Sequence, residues 1–157
     1  MTCIIGAGGV IAADMQRVGP HKCSVTKIWH HEGSIFADAG DATWGEIFQE
    51  WYIDGQNRDR REAIAKLMND MGGDWVGLQI KPDGKIVMWA VPFIPLPMHT
   101  EVYAIGSGAP YALGAYSSGK SLIESVAIAH LWDEYTGAEV QTISLDDVAH
   151  KKKRRGK

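Results

Sequence analysis

Thr2 directly follows Met1, and a small second residue is what methionine aminopeptidases accept, so the sequence predicts a mature chain that begins with threonine. Such a terminus holds a nucleophile and its base on one residue. The hydroxyl attacks a carbonyl while the α-amine, with an ordinary pKa of roughly 7.7–8.0, takes the proton near neutrality. Many chains begin Met-Thr without any such chemistry, so Thr2 gains meaning only from partners. A second candidate is Gly114-Ala115-Tyr116-Ser117-Ser118-Gly119-Lys120-Ser121, which fits the phosphate-loop pattern, with Lys120 on the terminal phosphates and Ser121 on Mg²⁺. That loop must follow a buried strand directly, whereas residues 109–113 read as helix. The same stretch reads as a joint in which Gly119 breaks one helix and Ser118 or Ser121 caps the next. His30 and His31 are adjacent, so on a strand they point to opposite faces and do not make a metal pair. No G-x-S-x-G elbow occurs, and neither Cys3 nor Cys23 stands in a catalytic-cysteine context.

These residues must be carried by a fold, and the patterning is clear enough to predict one. Short β-branched runs at 3–5 and 10–14, joined by Gly-rich residues, predict a hairpin, and runs at 25–29 and 34–39 predict a second pair. The period then changes. Trp44, Ile47, Phe48 and Trp51 are spaced as one helical face, as are Ile64, Leu67, Met68 and Met71 before Gly72-Gly73. A hairpin over 75–80 and 85–91 follows, turning at Pro82-Asp83-Gly84. Pro92, Pro95 and Pro97 predict an irregular crossing, and 101–105 a short strand ending at Gly106-Ser107-Gly108. Helix resumes near Pro110. Residues 122–135, apolar nearly all round, predict a buried helix, and 139–144 a last strand. Strands, two helices, strands, two helices and a strand make one α+β domain with sheets and helices in separate layers.

At 157 residues the chain can bury a sizeable core without disulfides or metal. The net charge of -3 hides an asymmetry: residues 151–157 hold six of the 16 basic residues and none of the 19 acids, so ten bases face 19 acids elsewhere, a net -9. An acidic body is a poor partner for nucleic-acid phosphates, and a terminal run of like charge reads as a solvated tail, with docking on a partner the alternative. Two cysteines fit a reducing compartment. With no membrane-length apolar stretch and no signal-peptide pattern, the expectation is a cytoplasmic protein.

Six segments then fall into one order: Thr2-Cys3-Ile4-Ile5-Gly6, Ile11-Ala12-Ala13-Asp14, Thr26-Lys27-Ile28, Ala39-Gly40-Asp41, Ala104-Ile105-Gly106-Ser107-Gly108-Ala109-Pro110-Tyr111-Ala112 and Asp133-Glu134-Tyr135-Thr136-Gly137. The order resembles the proteasome β-type N-terminal threonine hydrolases, the bacterial HslV peptidases above all around Ser107, and runs from Thr2 to about Asp147. The resemblance implies a four-layer αββα sandwich of two antiparallel sheets over 1–147 and a basic, flexible tail over 148–157. It implies Thr2 as nucleophile after Met1 removal. Asp14 and Lys27 would lie beneath it on adjacent strands, with Lys27 easing ionisation of the hydroxyl and Asp14 keeping Lys27 charged; a purely structural ion pair is the alternative. Ser107, Asp133 and Thr136, the last where the family often has serine, would orient the α-amine. The oxyanion-hole amide falls on Ala37, where glycine is usual and only the N–H is needed. The neighbouring Asp38 would face substrate and favour a basic or polar side chain.

The resemblance further implies polypeptide substrates, a homo-oligomeric ring, an AAA+ ATP-dependent unfoldase as partner, and no metal or organic cofactor. The two middle helices at 42–71, shorter here than is typical, would offer exposed apolar faces, including Trp44 and Trp51, for ring contacts. Three other readings stay open: a small-molecule amidohydrolase of the same fold, a catalytically inactive ring or scaffold subunit, and nucleotide binding at 114–121.

Overall fold

Alternation along the strands decides the layers. In the computed structural model, which describes residues 2–17 and 21–155, β1 (Ile4–Ala7) and β2 (Val10–Asp14) form the predicted hairpin. Their side chains divide by parity: Ile4, Ile11 and Ala13 face one way, Cys3, Ile5 and Ala12 the other. A two-residue ribbon, β3 (Gln16–Arg17) with β4 (Cys23–Ser24), follows. The second sheet starts with β5 (Ile28–His31) and β6 (Ser34–Gly40), where Ile35, Ala37 and Ala39 alternate with Phe36 in the same manner.

The helices α1 (Ala42–Ile53) and α2 (Arg58–Met71) come next, each started by a side chain that accepts an otherwise free amide: Asp41 from Thr43 and Asn57 from Arg60. The chain continues through β7 (Trp75–Ile80), β8 (Ile86–Ala90), β9 (Ile94–Met98) and β10 (Val102–Ile105). It ends with α3 (Ala109–Ser117), α4 (Leu122–Trp132), β11 (Val140–Ser144) and α5 (Leu145–Arg155).

The strands assemble into two antiparallel sheets, ordered β10-β1-β2-β11 and β5-β6-β7-β8-β9. Between them lies an aliphatic core of Ile4, Ile11, Ala13, Ile35, Ala37, Leu78, Ile80 and Ile86. Outside the five-stranded sheet, α1 and α2 cover an aromatic core of Phe36, Phe48, Trp51, Trp75, Trp89 and Phe93. Outside the four-stranded sheet, α3 and α4 bury Cys3, Ile5, Ala12, Ala112, Val126 and Ala129. This is the αββα sandwich, and parity along each strand gives each sheet two faces to bury.

Four local expectations are corrected. The Pro-rich stretch forms β9, paired to β8 with Pro95 opposite Trp89 and Pro97 opposite Val87. Prolines two apart share one side of a strand, and an edge strand has one side with no ladder to donate to. Trp44 and Trp51 are not exposed: they are 3% and 2% accessible, inside the aromatic core. The helix predicted over 122–135 stops at Trp132 and buries one face only, leaving Ile123, Leu131 and Trp132 exposed. The segment from 148, expected as tail, continues α5 to Arg155, because Val148 is buried in the core between the sheets and Asp147 and Ser144 cap the helix start.

Residues 114–121 form a helix joint. Ser121 and Glu124 make a reciprocal capping box at the start of α4, and Lys120 lies 3.7 Å from Glu124. Among the described residues no helix is long and apolar enough to cross a membrane, and no cluster of three metal-ligating side chains forms.

Candidate active site

Thr2 lies just ahead of β1, an interior strand, and is 2% exposed. Its hydroxyl donates to Asp14 Oδ1 and accepts from Lys27 Nζ. Lys27 Nζ is 2.9 Å from the same Asp14 oxygen. Asp14 closes β2 in the four-stranded sheet, whereas Lys27 immediately precedes β5 in the five-stranded sheet. The two residues were expected on adjacent strands; instead they meet across the gap between the sheets, and Thr2 sits where the sandwich opens.

Asp14 is fully buried, and the backbone cradles it. Its Oδ1 accepts from the amide of Cys3 at 2.8 Å, and its Oδ2 from the amides of Gln16 and Gly137, both at 2.9 Å. These amides fix the carboxylate in place facing Lys27. Burial pulls the Lys27 ammonium below its ordinary range, and the hydrogen bond and charge of Asp14 oppose that fall. Cys3, next to Thr2, feels the same burial, but there the Asp14 charge adds to it, and together they push its thiol up to about 12.

The carbonyl side of Thr2 is fixed by the turn after β10. Gly108 donates its amide to Thr2 O at 3.2 Å, and Ser107 Oγ reaches the same oxygen at 3.5 Å. Gly106 has φ +92°, and any Cβ there would collide with that carbonyl oxygen. Asp133, at the end of α4, accepts from Ser107 Oγ at 2.7 Å and Thr136 Oγ1 at 2.6 Å. Burial works to raise its carboxyl, but the hydrogen bonds from Thr136 and Ser107 outweigh it and hold the carboxyl below its usual range. Six of the eight residues expected at the site therefore form one connected assembly: Thr2, Asp14 and Lys27 on the hydroxyl, and Ser107, Asp133 and Thr136 on the backbone side.

A cavity of about 750 Å³ opens beside Thr2, lined in part by Lys27, Asp38, Ala39, Gly40 and Glu46. Ala37 is not on that wall; its side chain lies in the core between the sheets. Its pairing is nevertheless informative. The β5–β6 ladder runs from His31 opposite Ser34 to Ile28 opposite Ala37 and stops there, so beyond Ala37 the edge of β6 that faced β5 borders the cavity. Asp38 lines this wall, packed so closely on α1 that a side chain at Gly45 would strike its carboxylate. Burial pushes its pKa up to about 6, with the Trp75 indole and the Lys27 charge opposing. The sequence did not disclose the amide cradle of Asp14, since backbone donors leave no residue signature; Gly137 was the one visible trace.

Two sheets packed face to face with helices on both outer faces make an HslV-like, proteasome β-type fold. Solved structures agree. The chain is similar to Thiobacillus denitrificans BPH in complex with epoxomicin, at 23% identity and a TM-score of 0.63, over 92% of this chain and 98% of that one. It is also similar to the eukaryotic HslV from Trypanosoma brucei, at 14% identity and a TM-score of 0.62, over 91% and 98% respectively. No protein-family model and no curated protein matches the sequence.

Proposed function

We propose that the chain is a threonine-type peptidase with Thr2 as nucleophile, working as a subunit of a self-compartmentalising protease. The observation that carries this reading is the Thr2 hydroxyl held between the Lys27 ammonium and the Asp14 carboxylate on the wall of a substrate-sized cavity. With Met1 removed, the α-amine of Thr2 takes the hydroxyl proton as Oγ1 adds to the peptide carbonyl carbon. Lys27 stabilises the developing alkoxide and Asp14 keeps Lys27 charged. A backbone N–H of β6, where its ladder with β5 ends at Ala37, holds the oxyanion. The α-ammonium returns its proton to the leaving amine, and water, deprotonated by the same amine, hydrolyses the ester and frees Thr2. Ser107, Asp133 and Thr136 position the Thr2 backbone. No step calls for a metal or organic cofactor.

Substrates are polypeptides, and Asp38 on the wall favours a basic or polar side chain beside the cut. A peptidase nucleophile on a cavity wall fits a cytoplasmic homo-oligomeric ring fed by an AAA+ unfoldase, with the exposed Leu131 and Trp132 in place of Trp44 and Trp51 as subunit contacts. The test is intact mass with epoxomicin, the ligand of the Thiobacillus protein. The expected result is a chain beginning at Thr2 that gains one adduct, and a Thr2→Ala chain that gains none. An unmodified Met1-free chain, or an adduct that persists in Thr2→Ala, overturns the proposal.

A further inference from the structure

Between α4 and β11 the segment 133–137 crosses the site, and both halves of the assembly depend on it. Asp133 accepts from Ser107 and Thr136, and Ser107 in turn reaches the Thr2 carbonyl. The Gly137 amide donates to Asp14 Oδ2, so the same segment also fixes the carboxylate that faces Lys27. It packs on the turn that holds Thr2 as well: a Cβ at Gly108 would lie 2.5 Å from Thr136 Oγ1. The bonds from the Thr136 and Tyr135 amides to Asp133 shape the segment internally. Two side chains outside it anchor its carbonyls. Gln16 Nε2 donates to Glu134 O at 3.3 Å, and His130, in the last turn of α4, places Nδ1 only 2.7 Å from Thr136 O. A carbonyl oxygen can only accept, so Nδ1 carries the hydrogen in the neutral ring as in the cation, and the bond holds in either charge state.

We infer that His130 is a positioning residue for the hydrolysis proposed above: it ties Thr136 to α4, and through that segment it holds Ser107 and Asp14 in register with Thr2. None of residues 130–137 lines the cavity beside Thr2, whose walls include β6 and α1. Losing the tether therefore loosens both supports of the nucleophile and leaves the surface that receives the peptide as it was. The signature is a lower kcat at unchanged KM. The kinetic arm of the inference rests on the peptidase reading, whereas the tether itself rests on the geometry alone.

The test compares His130→Ala, His130→Asn and His130→Gln with the parent, all as chains beginning at Thr2, on a peptide with Arg before a fluorogenic leaving amine. Asparagine puts a side-chain N–H where Nδ1 stands, and glutamine puts it one bond farther out, near Nε2. The expected result is kcat about tenfold lower in the Ala and Gln chains with KM within about twofold, and kcat within about twofold of the parent in the Asn chain. A parental kcat in the Ala chain, a loss confined to KM, or an Asn chain no better than the Gln chain overturns the inference; if the Ala chain does not fold, the Asn and Gln pair decides. Amide hydrogen exchange at Gly137, followed by NMR on the same chains, needs no turnover and should be about tenfold faster in the Ala and Gln chains and parental in the Asn chain. A parent that hydrolyses nothing but shows that exchange pattern sinks the peptidase reading and leaves the tether standing. Parental exchange in every chain overturns the tether.

Discussion

Asp14→Asn separates the structural work of the site from its chemical work. The substitution keeps the volume, removes the charge, and turns one acceptor into a donor amid the amides of Cys3, Gln16 and Gly137. At least one buried N–H then loses its partner, which costs about 1–3 kcal/mol. Lys27, whose side chain is only 10% exposed, loses its counter-charge, and breaking a buried pair from one side costs about 3–5 kcal/mol. The two penalties overlap, so a loss of about 4 kcal/mol at pH 7 is expected, or a Tm lower by about 8–16 °C. The loss is pH-dependent with a definite sign. Burial already holds the Lys27 ammonium below its ordinary range against the pull of Asp14. Without Asp14 its pKa falls further. Between that folded value and an unfolded value of roughly 10.4 the unfolded chain binds the extra proton, so stability rises with pH across the window. Urea denaturation of the variant from pH 7 to pH 10 should therefore show a shrinking deficit. Adding Lys27→Met should recover about 2 kcal/mol while hydrolysis stays abolished, because the unpaired charge is gone and so is the group that steadies the alkoxide. An Asp14→Asn chain within about 1 kcal/mol of the parent, or a double variant no more stable than the single one, would refute the account of the pair.

Three further outcomes follow from the same geometry. Gly106→Ala forces a Cβ onto the Thr2 carbonyl at a positive φ; a loss of about 2 kcal/mol or more in urea melts is expected, with kcat reduced at unchanged Lys27 and Asp14. Asp38, with its pKa near 6, should make kcat/KM for peptides with Lys or Arg before the cut rise as pH climbs through that value, and Asp38→Asn should lower it about tenfold, near 1.4 kcal/mol, while uncharged peptides change little. Because that carboxyl is raised above its unfolded value, the parent should lose on the order of 2 kcal/mol between about pH 4 and pH 6, a slope absent from the Asn variant in parallel denaturation curves. Leu131→Glu with Trp132→Glu replaces two exposed apolar side chains; sedimentation should report smaller particles with an unchanged circular dichroism spectrum, and an unaltered size would place subunit contacts elsewhere.

What the sequence disclosed and what it hid divide along a physical line. Strand signals are local, so the β-branched runs at 3–5 and 10–14 with Gly-rich residues between them predicted the first hairpin, whose Ile4 and Ile11 face one core and Cys3 and Ile5 the other. Helix joints are local too, and Ser121 was one of the two serines expected to cap the second helix. The pairing of Asp14 with Lys27 was implied by the resemblance and met the need of a buried ammonium for an anion, but its geometry was not legible. Which sheet each strand joins depends on all of its neighbours, and the two residues prove to close the mouth of the sandwich from opposite sides. The same dependence explains β9. Proline at 95 and 97 forbids a central strand, yet it permits an edge, and being an edge is a property of the finished sheet. Exposure failed for a related reason. The stripe of Trp44, Phe48 and Trp51 marks one face of α1, but whether that face meets solvent or an aromatic core depends on what β7 and β8 present to it. They present Trp75 and Trp89, whose rings lie 4.7 Å and 5.2 Å from Phe48. The family resemblance thus pointed to Thr2 and its charge partners, whereas the long-range order of strands determined which surfaces border the cavity and which stay exposed.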